Sequence, residues 1–481
     1  MPFCFCSEGE RMKKLEKNIL KAVLLLFPLV LGTAGLISAG ESPINALFNG
    51  ITMYGMNYGG EPANWMVQAA RWLAPVATVS GIALMFASVA KMAYAWFSYL
   101  RGDSVAVYGN EELADRIRST CSYPVVTGEE KILPAHRYVL FWDEEKNLDF
   151  FLEHRKELGK RQVYMRCSAL RSQVSAGAAL HLFSAEETAA RLYWKQAEMY
   201  ALSCRKNHEL SIVFIGFGKL GEELLTWGLQ NNIFHPGQRI SYHIFGDAEG
   251  YLSLHRELAQ VSDKVVCHSE PWKQDLVTVQ VADRIIVCEQ ERQTETIQDL
   301  LFAVPEKRLD ILAEQPEILD LIEEKDRLAV FRWRTEAMKP QNIFDEQTLR
   351  RAKAINLRYA HLYRSVEETA ENAEKEWNQL DSFTRYSNIS AADYHEIRMQ
   401  MLKLWGGKEI NDDQLELLSE LEHIRWSRFH YLNNWRYEKL PDGVRKDSVR
   451  RIHRDLIPYS ELDEPAKEKD RENIRVMLKI R

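Results

Sequence analysis

The chain has 481 residues, of which 46% are hydrophobic and 27% charged, and its formal net charge is -7. This length predicts about three domains of roughly 150 residues each, and the negative charge argues against nucleic-acid binding by bulk electrostatics. Its seven cysteines show no metal-ligand spacing, and Cys4 and Cys6 are the one close pair, so neither a zinc site nor a disulfide scaffold is expected.

Two apolar stretches lie near the start of the chain. The first, 22–39, contains no charged residue and, at about 1.5 Å per residue, nearly crosses the roughly 30 Å hydrocarbon core of a bilayer. The second, 72–96, is interrupted only by Lys91 and is long enough to return. We therefore expect a helical hairpin within residues 19–101 that crosses the inner (cytoplasmic) membrane of the cell twice, preceded by a cytoplasmic segment, 1–18.

Basic residues flank this hairpin on both sides. The positive-inside rule then places both chain ends in the cytoplasm. The residues concerned are Arg11, Lys13, Lys14, Lys17 and Lys21 before the first stretch, and Lys91 and Arg101 at the end of the second. A cleaved signal peptide is the alternative for the first stretch, although the second would still hold the chain in the membrane.

The segment between the two apolar stretches, 41–70, is too long for a plain turn. Ser42 and Pro43 form a helix start signal, which predicts a short amphipathic helix ending near Thr52. The sequence MYGMNYGGEP follows. Glycines and small polar residues in series let backbone carbonyls line a narrow passage and replace the hydration shell of a cation.

This order of helix, re-entrant helix, filter and helix resembles the two-helix cation channels of the potassium-channel superfamily. The resemblance implies a filter formed by Thr52, Gly55, Met56, Asn57, Tyr58, Gly59 and Gly60. Against the potassium-filter pattern TVGYGD, Met56, Tyr58 and Gly59 fit, whereas Gly55, Asn57 and Gly60 depart, so selectivity for potassium is left open. An ordinary polar loop joining two anchoring helices is the alternative.

From Ser104 onwards, short β runs alternate with amphipathic helices, which is typical of a parallel sheet with crossover helices. The β runs are SVAVYG, YPVV, YVLFW and RQVYMR, with helices at NEELADRIRST and over 148–158. This pattern predicts a Rossmann-like lobe over 102–208. Its first turn has a single glycine, Gly109, so we expect no nucleotide there.

A helical stretch over 185–203 leads into the sequence LSIVFIGFGKLGEELL. Here a predicted strand runs into Gly216, Gly218 and Gly221 and then into a helix, the context that a G-x-G-x-x-G motif requires. Gly216 suits the tight turn, Gly218 leaves room for a phosphate, and Gly221 lets helix and strand pack closely. The start of the helix would face the anion.

Further strands at ISYHIF, KVVCH, RIIVC, RLDILA and LAVFRW complete a second Rossmann lobe over 209–335. Asp247 follows ISYHIF, where it could accept a hydrogen bond from a ribose hydroxyl. The candidate ligand is an adenine nucleotide or NAD, held by Gly216, Gly218, Lys219, Gly221 and Asp247. A compact turn that binds nothing is the alternative.

Two Rossmann lobes directly after a pore-like hairpin resemble the RCK (regulator of potassium conductance, TrkA-N type) gating module, over about 104–335. The resemblance implies a cytoplasmic ring of lobes that pulls on the pore-lining helices. Four chains would supply eight lobes, and a four-fold pore also needs four chains, so we expect a homotetramer.

Residues 336–375 are charged and mostly helical, which predicts a connector. The block over 376–481 resembles the RyR domain, the repeat first seen in ryanodine receptors, and the resemblance implies a small, mainly α-helical domain. Its most specific parts are Trp435-Arg436-Tyr437, Lys446-Asp447, His453, the segment 456–462 with Pro458 and Tyr459, and Lys469-Asp470-Arg471.

The same block is dense in Arg and His beside Trp and Tyr. Guanidinium groups bind phosphate bidentately and aromatic faces stack bases, so a phosphorylated nucleotide is the expected ligand. The candidate binding residues are Arg425, Trp426, Arg428, Trp435, Arg436, Tyr437, Lys446, His453 and Tyr459. Alternatively, the aromatic residues form the core of a helical domain and the arginines its solvated face.

Together these patterns predict a tetrameric, ligand-gated channel for monovalent cations in a lipid bilayer, and not an enzyme. A cytoplasmic nucleotide would favour one state of the lobes and so bias the pore. Such channels can act as effectors of antiviral signalling, a role that the sequence permits. Two alternatives stay open: a non-conducting, membrane-anchored nucleotide sensor, and a membrane-bound, NAD-dependent enzyme.

Overall fold

The computed structural model describes residue 23 and residues 26–168, 179–313, 325–344, 346–407 and 409–479. The predicted segment 1–18, its basic cluster and the start of the first apolar stretch lie outside the described residues. The chain divides into a first unit, Met1–Gly102 with Leu133–Ala135, and a second unit, Asp103–Ile132 with His136–Arg481.

The described part of the first unit contains three helices: α1 (Leu26–Ser38), α2 (Pro43–Tyr54) and α3 (Trp65–Arg101). Among the described residues, α3 alone is long and apolar enough to cross a membrane, judged by length and composition. α1 is apolar but shorter.

The helix predicted after Ser42 is present and extends to Tyr54 rather than Thr52. Ser42 is its N-cap, and its hydroxyl accepts a hydrogen bond from the backbone N–H of Asn45. α1, α2 and α3 share a small apolar core in which small residues let the helices approach closely. This core contains Leu36, Ala46, Met53, Val67, Ala70 and Ala74.

In the second unit, the predicted first lobe is a five-stranded parallel sheet with strand order β2-β1-β3-β4-β5. Its strands are β1 (Val105–Tyr108), β2 (Val125–Gly128), β3 (Arg137–Leu140), β4 (Gln162–Arg166) and β5 (Leu180–Phe183), and its helices are α4 (Glu111–Thr120), α5 (Glu144–Glu153) and α6 (Arg155–Leu158). The predicted strands are confirmed, and β5 is an additional edge strand.

The predicted helix over 185–203 is two helices, α7 (Ala185–Gln196) and α8 (Met199–Arg205). The break falls at Glu198, whose φ of 50° lies in the left-handed region and interrupts the helical hydrogen bonds. α7 then packs against the helix that follows the glycine motif.

The second lobe is a six-stranded parallel sheet with strand order β11-β10-β9-β6-β7-β8, as expected for a Rossmann-like lobe. Its strands are β6 (Glu209–Ile215), β7 (Arg239–Phe245), β8 (Lys264–Cys267), β9 (Arg284–Val287), β10 (Leu309–Leu312) and β11 (Leu328–Phe331), and its helices are α9 (Gly218–Asn231), α10 (Glu249–Leu254), α11 (Leu276–Val281) and α12 (Gln293–Ala303). The strand order reverses between β6 and β9, which places the start of α9 at the crevice where such sheets bind ligands.

In the described remainder of the second unit, the regular structure is helical apart from one two-stranded hairpin. Its elements are α13 (Trp333–Ala337), α14 (Pro340–Phe344), α15 (Glu346–Arg364), α16 (Ala370–Gln379), α17 (Ser382–Leu404), α18 (Asp412–Leu432), β12 (Lys446–Asp447), β13 (Ile452–His453) and α19 (Glu464–Lys479). The predicted connector and C-terminal block are thus mainly helical, as expected.

One apolar core joins the lobes to these helices. It runs from Val105 in β1, through Leu224 in α9 and Tyr394 in α17, to Ile474 in α19. By compactness, the segments predicted as separate domains with boundaries at 209, 336 and 376 therefore belong to one unit.

Candidate functional sites

The predicted filter segment begins where α2 ends. Gly55 is the C-cap of α2, and Met56 is exposed with a φ of 56°. Gly59 and Gly60 are in irregular structure, and the ring of Tyr58 lies under the guanidinium of Arg71, whose Cζ is 5.6 Å from the ring centroid.

Asn64 fixes the far end of this loop. Its side chain caps α3 by accepting from the N–H of Val67 at 3.0 Å. Its amide also donates to the carbonyl oxygen of Gly35 at 2.7 Å and to Ser38 Oγ at 3.0 Å. The loop between α2 and α3 is therefore anchored to the end of α1, whereas Thr52 Oγ1 bonds within α2, to the carbonyl of Asn49.

The glycine motif forms a turn in which two glycines are required for different reasons. A Cβ on Gly216 would lie 2.6 Å from the backbone nitrogen of Glu289, so the chain after β9 approaches too closely for any other residue. Gly218, with φ of +53°, has open space where its Cβ would be. The first turn of α9 is thus open to a ligand phosphate, as the predicted function of Gly218 requires.

Gly221 allows close packing, but against the ring of Phe217 rather than the strand, since its Cβ would lie 2.7 Å from that ring. Lys219 is exposed beside the turn. Asp247 is exposed after β7 and accepts a hydrogen bond from the N–H of Glu249 at 3.2 Å. The Rossmann-like lobe and this open turn are compatible with a nucleotide or NAD.

Acidic side chains also surround this turn. Burial, and then the neighbouring carboxylate of Glu223, raise the pKa of Glu222, and Asp247 adds to this effect. Lys219 acts in the opposite direction. These carboxylates would repel a negatively charged ligand, whereas Lys219 and the backbone N–H groups at the start of α9 would attract it.

A second candidate site is a half-open cavity of about 340 Å³ lined by the C-terminal helices. Its volume lies in the range of about 300–1,000 Å³ that is typical of small-molecule sites. α15, α17, α18 and α19 supply most of its wall, and the segment 445–462 supplies the rest. We call it the helical cavity.

Small polar side chains on one face of α17 line the helical cavity. Thr384, Ser387 and Asn388 follow one another at helical spacing, and Ala391 continues the same face. Opposite them, Asn356 of α15 is 6% exposed, and its Nδ2 has no hydrogen-bond partner among the described residues. An unmade hydrogen bond at a buried amide costs about 1–3 kcal/mol, so a ligand that offers an acceptor to Asn356 would gain affinity.

Two cations, Arg445 and Lys469, reach the cavity wall. Arg445 Nη1 lies 3.3 Å from Asp455 Oδ2. Arg445 also pairs with Asp463, at 3.7 Å. Burial, and then the charge of Arg445, lower the pKa of Lys469, whereas Asp455, Asp463 and Asp470 act in the opposite direction and offset part of this repulsion.

The pKa values of two histidines in the cavity wall are shifted in opposite directions. His423 Nδ1 lies 3.4 Å from Asp470 Oδ2; burial alone would lower the pKa of His423, but this carboxylate raises it overall. Burial lowers the pKa of His453 to about 4, so this ring is neutral at pH 7. It packs edge-on against Trp426, with ring centroids 4.8 Å apart.

Of the residues predicted to bind a ligand in this block, Arg425, Trp426 and His453 line the cavity. Arg425 is 2% exposed and bidentate to Glu422, with Nε to Oε2 at 3.0 Å and Nη2 to Oε1 at 2.8 Å. Its positive charge is therefore already balanced within the protein. It forms part of the wall and is not a free phosphate-binding group.

The other predicted residues lie elsewhere. Arg428 is buried against the second lobe, where its Nη1 donates to Asp263 Oδ2 at 2.7 Å, so it serves packing rather than ligand binding. Trp435 and Tyr459 are buried core residues, the latter donating to Glu416 Oε1 at 3.1 Å. Outside the cavity wall, the surface-exposed members of the predicted set are Arg436, Tyr437 and Lys446.

Sequence reasoning missed Asn356, the polar face of α17 and Arg445. The spacing of Thr384, Ser387 and Asn388 places them on one helical face, but such a polar face usually lies in solvent, so it did not indicate a cavity. Asn356 carried no signal, since only the fold shows that its amide is buried without a partner.

Comparisons with known proteins add little to this geometry. No family model matches the chain, and a search of curated proteins found no match. A crystal structure of a D-lactate dehydrogenase from Treponema pallidum aligns with 11% identity over 63% of this chain and 97% of that chain, with a TM-score of 0.22. This TM-score is too low to indicate a shared fold, and we draw no functional conclusion from it.

Proposed function

We propose that this protein is a ligand-gated cation channel of the inner membrane, with both termini in the cytoplasm, and that a nucleotide-type ligand in the helical cavity controls it. The helical cavity is the observation that carries the proposal. It combines two cations, an unpartnered buried amide and a face of small polar side chains in a volume suited to a small molecule.

The first unit supports the membrane part of the proposal. α3 exposes an apolar surface along its length that includes Val76, Val79, Met85, Phe86 and Val89. Exposed apolar groups are costly in water and favoured in hydrocarbon, at about 25 cal/mol per Å². The short α2 and the glycine-containing loop that follows it keep the order expected of a re-entrant helix and filter.

The ligand chemistry follows from the wall of the helical cavity. Lys469 favours an anion, and the neutral His453 and Trp426 offer aromatic surface for a base. The open turn at Gly218 fits a second nucleotide, an adenine nucleotide or NAD, in the second lobe. Four chains would be needed to close a pore around the loop of the first unit.

The deciding experiment is ion flux through purified protein in liposomes. A panel of cyclic dinucleotides, cyclic oligonucleotides, ATP, ADP and NAD is first screened by thermal shift on the full chain, and each stabilising compound is then added to potassium-loaded vesicles. We expect flux with at least one compound, and no flux from Tyr58→Ala under the same conditions. Tyr94→Ala, which alters an exposed aromatic residue outside the filter segment, is the matched control.

A non-conducting, membrane-anchored sensor is the second candidate, favoured by the presence of only one helix among the described residues that could cross a membrane. Vesicles that stay tight with a ligand that stabilises the protein would favour this sensor and overturn the channel. Equal flux in wild type and Tyr58→Ala would also overturn the proposed pore.

A further inference from the structure

The polar face of α17 that lines the helical cavity lies on the same helix as a buried face that contacts α9. Ser390, one residue before the cavity-lining Ala391, is 1% exposed and donates from Oγ to Gln230 Oε1 at 2.7 Å. Gln230 belongs to α9, the helix that begins at the glycine turn. One helix, α17, therefore lines the helical cavity and also contacts the C-terminal end of the helix that begins at the glycine turn.

Arg425 continues this connection into the cavity wall. Its Nη1 donates to Ser390 Oγ at 3.0 Å, while its other nitrogens are bound to Glu422. The hydroxyl of Ser390 thus accepts from Arg425 and donates to Gln230. Because Arg425 lines the helical cavity, three hydrogen-bonded side chains join the cavity wall to α9 without a gap.

A second contact between the same helices lies one turn away. Asn231, the residue after Gln230, donates from Nδ2 to Asp393 Oδ2 of α17 at 3.1 Å, and both residues are fully buried. The C-terminal turn of α9 is therefore held to α17 by two polar contacts. α9 is a regular helix about 20 Å long, so a displacement of this end reaches the glycine turn at the other.

We propose that Ser390 and Gln230 are positioning residues that couple the helical cavity to the glycine turn. This proposal rests on the proposed function, because it assumes that the ligand binds in the helical cavity. Occupation of the cavity shifts Arg425 and α17, and the bridge through Ser390 and Gln230 passes this shift to α9. Because such coupling is reciprocal, a nucleotide at the glycine turn changes the affinity of the cavity for its ligand by the same factor.

The test needs no ligand, since a larger side chain can occupy the cavity. Asn388→Leu adds an apolar side chain to the cavity face of α17, and Ser387→Leu is a second variant should the first not fold. Hydrogen–deuterium exchange is measured on the full chain in detergent, with unchanged protection of β6 as the criterion of folding. We expect amides 221–225 in the first turns of α9 to exchange about three-fold faster or more.

Removing the bridge should reduce this response. In a Ser390→Ala background, Asn388→Leu should produce less than half of the acceleration, whereas Ser390→Thr, which keeps the hydroxyl, should restore it. Ser419→Ala is the matched control, because Ser419 is fully buried but its hydroxyl bonds within α18, to Leu415. In that background the full acceleration should remain.

Two results would overturn the coupling: unchanged exchange at 221–225 in both folded cavity variants, or an acceleration of equal size with and without Ser390. Neither result depends on ligand binding or flux. Failure of the coupling can therefore be distinguished from failure of the proposed channel.

Discussion

Arg191 of α7 and Asp393 of α17 form a buried ion pair in which Nε and Nη2 of the arginine both donate to Oδ1 of the aspartate, at 2.9 and 2.7 Å. Lys195 Nζ lies 2.6 Å from the same oxygen. Burial alone would raise the pKa of Asp393, but the two cations hold it well below its usual range. A carboxylate of the predicted C-terminal block thus neutralises cations of the helix between the two lobes.

We predict that Asp393→Asn destabilises the second unit by about 3–5 kcal/mol, because it removes the buried negative charge that Arg191 and Lys195 share. Urea denaturation of the full chain in detergent, followed by tryptophan fluorescence, measures this loss. Asp442→Asn, in an exposed turn, is the control and should leave the transition unchanged. A loss below about 1 kcal/mol, the usual value for an exposed pair, would show that this ion pair contributes little.

At the glycine turn, we expect the charge of a side chain introduced at position 218 to affect nucleotide binding more than its size does. Gly218→Asp should weaken binding of ADP to the second lobe by roughly tenfold or more, since a carboxylate would face the phosphate. Gly218→Asn, which carries a neutral side chain of the same size and is better tolerated at a φ of +53°, should weaken ADP binding less than Gly218→Asp does. Calorimetric titration of the full chain compares the three proteins, and equal affinities in all of them would place the nucleotide elsewhere.

Substitutions in the helical cavity should affect ligand binding, whereas a substitution of an exposed basic residue outside it should not. Lys469→Ala should weaken a ligand found in the thermal-shift screen by roughly tenfold, and Asn356→Leu by a similar factor, because each removes a group that faces the cavity. Arg436→Ala is the control, since Arg436 is exposed outside the cavity wall and paired with Glu438 at 3.6 Å. If Arg436→Ala lowered the affinity while Lys469→Ala did not, the ligand would bind on the surface.

The buried His430 predicts a pH dependence of stability. Burial lowers its pKa to about 3, whereas an unfolded histidine titrates near 6.5. Between these values the unfolded chain binds a proton that the folded chain does not, so stability falls as the pH falls from about 6.5 towards 3. The loss attributable to His430 is roughly 3 kcal/mol at pH 4.

His430→Phe removes this titration from the aromatic cluster formed with Phe383, Phe429 and Trp435. Thermal unfolding of the variant should depend less steeply on pH between 4 and 6.5 than that of wild type, even if its stability at pH 7 is lower. The exposed His361→Gln is the control. Parallel pH profiles for wild type and His430→Phe would contradict the assignment.

Much of the fold could be predicted because its strands are short apolar runs separated by amphipathic helices. The strands of the second lobe were found in this way, and the glycine motif identified the turn between β6 and α9. β5 was missed because Leu180, His181, Leu182 and Phe183 follow a segment without a clear pattern. The helix break at Glu198 was missed because glutamate favours helix and only the tertiary contacts impose its left-handed conformation.

The candidate site was harder to predict, because a sequence does not show which charges are neutralised. Arg428 and Asp263 are separated by 165 positions, so nothing local indicates that this arginine is buried in an ion pair. Lys469 and Arg445 are similar in the sequence to many surface cations. Their position at a cavity depends on how α15, α17, α18 and α19 pack, which neither periodicity nor composition specifies.

The shared core also has a consequence for how the protein folds during synthesis. Ile474 of α19 belongs to the same apolar core as Leu224 of α9, so this shared core is incomplete until α19 has left the ribosome. At about 5–20 residues per second, this delay after α9 is roughly 10–50 s. Throughout that time the apolar face of α9 that the later helices cover is exposed, and a chaperone would have to shield it from neighbouring nascent chains.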